Sequence, residues 1–235
     1  MERFLWFPLE DLPFIVIVLM IVFTVHEFAH AYSAYKFGDD TAYKAGRVTL
    51  NPMVHLDLFG SILLLVAGFG WAKPVPVNPS RFKHRRLMSI VVSAVGPLSN
   101  LLMAVIGMLL FYILHETGLL YGGSEGVYMA LITFFWYLIS INILLFIFNL
   151  IPLPPLDGYR IIAELLPLKT RYKIEQNMHW ALIVFLLFVF IPPLRAVTLD
   201  PILGLGSPIF NGLIRLFNSI FSPLPWNKVE MDFYL

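Results

Sequence analysis

No cysteine occurs anywhere in this chain, so disulfides, CxxC redox chemistry and thiolate metal sites are all excluded. Any tightly bound metal must use His, Asp or Glu. Charge is almost as scarce. Charged residues make up 13% of the 235 positions, against about 25% in a soluble domain. Hydrophobic residues reach 59% and the mean hydropathy is +0.80. A surface this poor in charge aggregates in water, so lipid is the solvent for much of the chain. The formal net charge of +1 argues against a nucleic-acid binder driven by phosphate contacts. No internal repeat, low-complexity stretch or appended soluble domain is evident, and the length fits a single membrane-embedded domain over 1–235.

A spanning helix needs about 20 mostly apolar residues. Three runs meet this: about Leu12 to Phe37, Leu87 to His115 and Val127 to Ile151. A fourth, about Asn177 to Leu194, is short and ends at Pro192-Pro193. Beyond it, Ile202 to Phe221 is apolar but broken by Gly and Pro, and reads equally as a half-span or an interfacial helix. The expected fold is therefore an all-α polytopic membrane protein. Its core covers about 12–161, and C-terminal membrane segments cover about 177–222. The first run follows Glu2, Arg3, Glu10 and Asp11 and lacks a basic leader and a small-residue cleavage site. It reads as a retained membrane helix rather than a signal peptide.

Lys and Arg placement orients these helices. The first loop carries Lys36, Lys44, Arg47, Lys73, Arg81, Lys83, Arg85 and Arg86. The second, around Glu116 to Gly126, carries neither Lys nor Arg. The third carries Arg160, Lys169, Arg171 and Lys173. The first and third loops are thus expected in the cytoplasm and the N-terminus outside. The long first loop is itself apolar. Thr41–Asn51, Ile62–Val66 and Lys73-Pro74-Val75-Pro76-Val77 read as short strand-like pieces separated by turns. Non-helical backbone at membrane depth must be buried in protein or line water.

The first helix contains His26-Glu27-Phe28-Ala29-His30. Residues i and i+4 share a helix face, so both imidazoles can reach one tetrahedral metal, with Glu27 beside it as a general base toward water. Depth sharpens the reading. His26 follows Phe14 by 12 residues, roughly 18 Å into a hydrocarbon core about 30 Å thick. Ionisable groups there are costly and mark functional sites by default. The bland alternative is a polar cluster that only holds helices together.

A third ligand is needed, and no Glu lies between Glu27 and Glu116. Asp157 is the leading candidate, in Asn149-Leu150-Ile151-Pro152-Leu153-Pro154-Pro155-Leu156-Asp157-Gly158, and His55 is the rival. The orientation returns the third helix to the cytoplasmic face, where the first also ends, so both ligand segments meet on one side. His55 and Asp57 have two readings: contacts near the metal, or a polar turn with Asp57 capping the segment after it. Asn100 either faces the cavity or packs; Gly96-Pro97 read as a kink with close packing, and Asn142 as an interhelical hydrogen bond.

With these residues in hand, the chain resembles the site-2 protease family of intramembrane zinc metalloproteases. HEFAH and NLIPLPPLDG carry the resemblance, supported by Gly96-Pro97-Leu98-Ser99-Asn100 and by GWAKPVPVNPSRF. The likeness implies one Zn2+ per chain held by His26, His30 and Asp157, Glu27 as catalytic base, and Asn149 assisting the substrate or the developing oxyanion. It implies that the loop offers an edge to an unwound substrate. It also implies membrane-protein substrates cut near the cytoplasmic side, no nucleic acid, and room for a regulatory membrane partner. The chain has no recognisable PDZ or nucleotide-binding domain and resembles the small, minimal branch. Its short loops point to a bacterial-type inner or plasma membrane. Two other functions share these residues: a divalent-metal transporter, which needs a continuous polar path, and a catalytically inactive scaffold, against which an intact Glu27 argues.

Overall fold

A computed structural model of the chain describes residues 7–224. Its elements are α-helices and short 3-10 turns, with no strand among the described residues. Three long helices build the centre: α1 (Leu12–Lys36), α4 (Arg85–Glu116) and α5 (Glu125–Leu150). At 1.5 Å per residue each exceeds the roughly 30 Å hydrocarbon thickness. Pro13 sits in the first turn of α1, where the missing N–H is not needed. α4 packs against α1, α5 and α6 (Asp157–Leu165).

The pattern along α4 explains how it sits. Ser93, Gly96, Pro97, Asn100, Ala104, Gly107, Met108 and Phe111 recur at helical spacing and are buried. Leu98, Leu102, Ile106, Leu110 and Ile113 form a second stripe that is exposed. An exposed apolar stripe next to a small and polar buried one suits a helix solvated by lipid, in which small residues allow close helix contact. The buried stripe packs on Ile15, Val18, Leu19 and Val22 of α1 and on Ile132, Phe135, Leu138 and Ile139 of α5.

The C-terminal part contains α7 (Leu168–Gln176), α8 (Met178–Phe190), α9 (Pro192–Leu203) and α10 (Gly206–Asn218). Four stretches are long and apolar enough to cross a membrane: 9–36, 85–116, 125–150 and 192–218. α7 and α8, bent by 70°, form a fifth if they make one span. This revises the sequence reading in detail. α8 alone is 13 residues, about 20 Å, and does not extend through 194. Pro192 and Pro193 open α9, because proline fits a first helical turn. The apolar run after 202 belongs to the composite α9–α10 stretch.

The first loop also differs from expectation. Thr41–Lys44 is a single helical turn, α2. Leu58–Ala67 is a ten-residue helix, α3, whose N-cap Asp57 accepts from Gly60 N–H at 2.8 Å and whose C-cap is Gly68 at φ 68°. The longest non-helical stretch of the loop is 68–78, and no ladder bonds pair it with another segment. The apolar content suggested strands, but a cap at each end allowed a short helix to close its own backbone bonds, which apolar surroundings demand.

Candidate metal centre

α1 presents His26, Glu27 and His30 on its buried face. Asp157 begins α6, just beyond the Pro-rich turn that ends α5. Gly158 permits this approach, because a Cβ there would lie 2.2 Å from the Leu150 carbonyl oxygen. The result is a small triangle of donor atoms. His26 Nε2 and His30 Nε2 are 3.1 Å apart, and Asp157 Oδ2 lies 3.2 and 3.1 Å from them. Tetrahedral ligands at 2.0–2.1 Å from zinc are about 3.3 Å from one another, so the triangle has the size of one face of that tetrahedron.

Hydrogen bonding explains why these atoms face each other. The Leu138 carbonyl can only accept, so the Asn142 amide donates to it at 2.7 Å. Asn142 Oδ1 then accepts from Asn100 Nδ2 at 3.1 Å, which leaves Asn100 Oδ1 to accept from His26 Nδ1–H at 2.7 Å. His30 Nδ1–H donates to the Val92 carbonyl at 2.6 Å. Both rings therefore carry their proton on Nδ1 and aim an Nε2 lone pair at the Asp157 carboxylate. A single added proton satisfies one of these contacts and leaves the other lone pair facing an oxygen. A divalent cation satisfies all three, and the donor set of two imidazoles and a carboxylate suits zinc.

α4 passes directly over the imidazoles. A Cβ on Gly96 would lie 2.2 Å from His30 Nε2 and 2.8 Å from His26 Cε1. Pro97 has no N–H to give the Ser93 carbonyl, the neighbour of the Val92 carbonyl that accepts from His30. The packing role read for Gly96 thus has a specific object, the His26 and His30 rings.

Glu27 is buried and accepts from Val75 N–H at 2.8 Å through Oε2. The segment that carries Val75 is held from behind. Arg47, 6% exposed, donates to the Lys73 carbonyl at 2.5 Å and the Pro74 carbonyl at 3.3 Å. The His55 carbonyl accepts from Lys73 N–H at 2.8 Å. Burial pushes the Arg47 guanidinium below its ordinary value, opposed by the Glu27 charge. The sequence had marked Arg47 only as an orienting charge; its burial depends on contacts more than 20 residues away that no local pattern reveals.

The remaining candidates fall into place around this centre. His55 is fully buried and its Nε2 donates to the Thr49 carbonyl at 2.8 Å. Burial pushes its pKa down, and it stands outside the donor triangle. Asp57 is a helix cap. Asn149 lines the same cavity as His26, Glu27, His30 and Asp157, with its amide donating back to the Leu145 carbonyl at 3.0 Å. That cavity, about 570 Å³, is walled on the far side by Phe69, Trp71, Phe148, Phe185 and Phe190.

Comparison with known proteins agrees with this picture. The sequence pattern of peptidase family M50 matches residues 121–192, a stretch that contains Asn149 and Asp157. The chain is 51% identical over 226 residues to YwhC of Bacillus subtilis, named as a candidate zinc metalloprotease; the match covers 95% of this chain and 100% of that protein. It is 28% identical over 176 residues to Rip2 of Mycolicibacterium smegmatis, likewise named, covering 73% of this chain and 64% of the relative. Rip2 of Mycobacterium tuberculosis is 29% identical over 181 residues, covering 74% and 65%. No solved structure matches the chain. The chain belongs to peptidase family M50.

Proposed function

We propose that the chain is an intramembrane zinc metalloprotease that hydrolyses peptide bonds of membrane-embedded protein segments near the cytoplasmic face. The convergence of Asp157 Oδ2 on two Nε2 lone pairs supports this reading more than any other observation. His26, His30 and Asp157 would hold one zinc ion. When bound, zinc supplies a Lewis acid that acidifies a water and polarises a carbonyl.

The protein's own residues do the rest. Glu27 is held through Oε2 by Val75 N–H, so Oε1 is left to take the proton from the attacking water and pass it to the leaving amine. The Asn149 amide keeps a second proton beyond its bond to Leu145, available to a developing oxyanion. The largely apolar cavity admits an extended apolar segment and limits competing water. The 69–78 segment lies along its wall, and its Val77 N–H and its Val75, Pro76 and Val77 carbonyls make no hydrogen bond among the described residues, which suits main-chain docking of an unwound substrate. All of this belongs to a single domain, with its loops carrying Lys and Arg in the cytoplasm and its helices in a plasma or inner membrane.

The test is Glu27→Gln in detergent-purified protein. It should retain zinc and melting temperature and lose at least about 100-fold in cleavage. Cleavage at the wild-type rate would remove Glu27 from the mechanism. A transporter reading would instead be supported by metal uptake into sealed vesicles that survives this substitution.

A further inference from the structure

His30 faces two cavities. Besides the apolar one, it lines a second, of about 420 Å³. Val75, Val77, Pro155 and Arg160 also line both, so a chain lying along 75–77 can pass from one to the other across the metal ligands. The second cavity differs in character. Ser89, Ser93, Tyr159, Glu164, Arg171 and Glu175 contribute to its walls. They come from the start of α4 and from α6 and α7, on the side where the Lys and Arg residues place the cytoplasm.

Two details indicate that this cavity receives a guest. The Ser89 and Tyr159 hydroxyls are buried with no hydrogen-bond partner in the protein, in side chains of residues only 7% and 9% exposed. Buried hydroxyls without partners are costly, and both residues contribute to the lining of this one cavity. The charged residues of its lining, two Arg and two Glu, are unequally engaged. Arg171 is engaged by Glu164 and by Glu175, each at 2.7 Å. Arg160 has no ion-pair partner among the described residues, and it stands in the wall common to both cavities.

We propose that the second cavity is a subsite for the polar, cytoplasmic flank of the substrate. Ser89 and Tyr159 hydrogen-bond its main chain, and Arg160 pairs with an acidic side chain near the scissile bond. The proposal rests on the protease reading above and narrows its substrates to membrane segments whose apolar end abuts an acidic flank. The apolar half lies against Phe69, Phe148 and Phe185, and the polar half lies against α6.

The test uses the zinc-loaded full chain in detergent and two forms of one single-span substrate, with Asp or Lys in the cytoplasmic flank beside the mapped cut. The wild type should cleave the Asp form with kcat/KM about threefold to fivefold higher, and Arg160→Glu should reverse that order. Tyr159→Phe, which deletes only the hydroxyl, should raise KM about fivefold with kcat little changed. Equal kcat/KM for both forms in the wild type and in Arg160→Glu, or an unmoved KM in Tyr159→Phe, would overturn the subsite and leave the cavity a place for water. If cleavage persists and remains abolished by Glu27→Gln, only the subsite fails. If the wild type cuts neither form, the protease reading fails with it.

Discussion

A single methyl group at position 96 is enough to disable the centre. Gly96→Ala would place its Cβ against His30 Nε2 and His26 Cε1, so both rings must move from the donor triangle. Asn100→Ala acts more gently: it removes the acceptor that fixes the His26 tautomer. We expect zinc affinity to fall about 10- to 100-fold in Asn100→Ala and further in Gly96→Ala, as read by competition with a chelating indicator. The sequence disclosed the two His and Glu27 because i, i+4 spacing on a helix is a local fact. It disclosed Asp157 only through elimination, topology and resemblance. Asn100 was left between cavity and packing because the answer depends on Asn142 and Leu138 of another helix. His55 was left between a contact near the metal and a polar turn, because its sequence neighbours fit both. It is buried outside the donor triangle, with Nε2 bonded to the Thr49 carbonyl and Nδ1 without a partner in the protein.

Among the elements, the three long helices were legible because lipid demands long apolar runs. Their boundaries fall within a few residues of those read. α3 was not, although its signals were present: Asp57 before the apolar run and Gly68 after it form a start and a stop. A ten-residue apolar run has too little polar contrast to reveal a period. The segment 72–78 shows how an element without its own ladder is held. Arg47 takes two of its carbonyls, the His55 carbonyl takes one N–H, and Glu27 takes another. Arg47→Ala leaves two carbonyls without their cationic donor, a loss of about 1–3 kcal/mol. Hydrogen exchange across 72–78 should rise and cleavage should fall at least about tenfold with zinc retained. Arg47→Lys should recover part of the activity. Unchanged exchange in Arg47→Ala would remove the clamp.

At the scale of the whole molecule, orientation and chemistry are linked. Lys and Arg placement is expected to put the first and third loops on one side, and His30 and Asp157 meet across 127 residues of sequence, near the ends of the helices that lead into those loops. The absence of cysteine makes this measurable without background. In sealed inside-out and right-side-out vesicles, Ser80→Cys should react with an impermeant maleimide only from the cytoplasmic side, and Gly123→Cys only from the opposite side. Labelling of both from one side would break the topology on which the shared face rests.

Metal analysis of purified wild type, Glu27→Gln and Asp157→Ala reaches the centre most directly. One zinc per chain should be found in the wild type and in Glu27→Gln, and a small fraction of that in Asp157→Ala at the same free zinc. Full zinc in Asp157→Ala would contradict the three-residue centre.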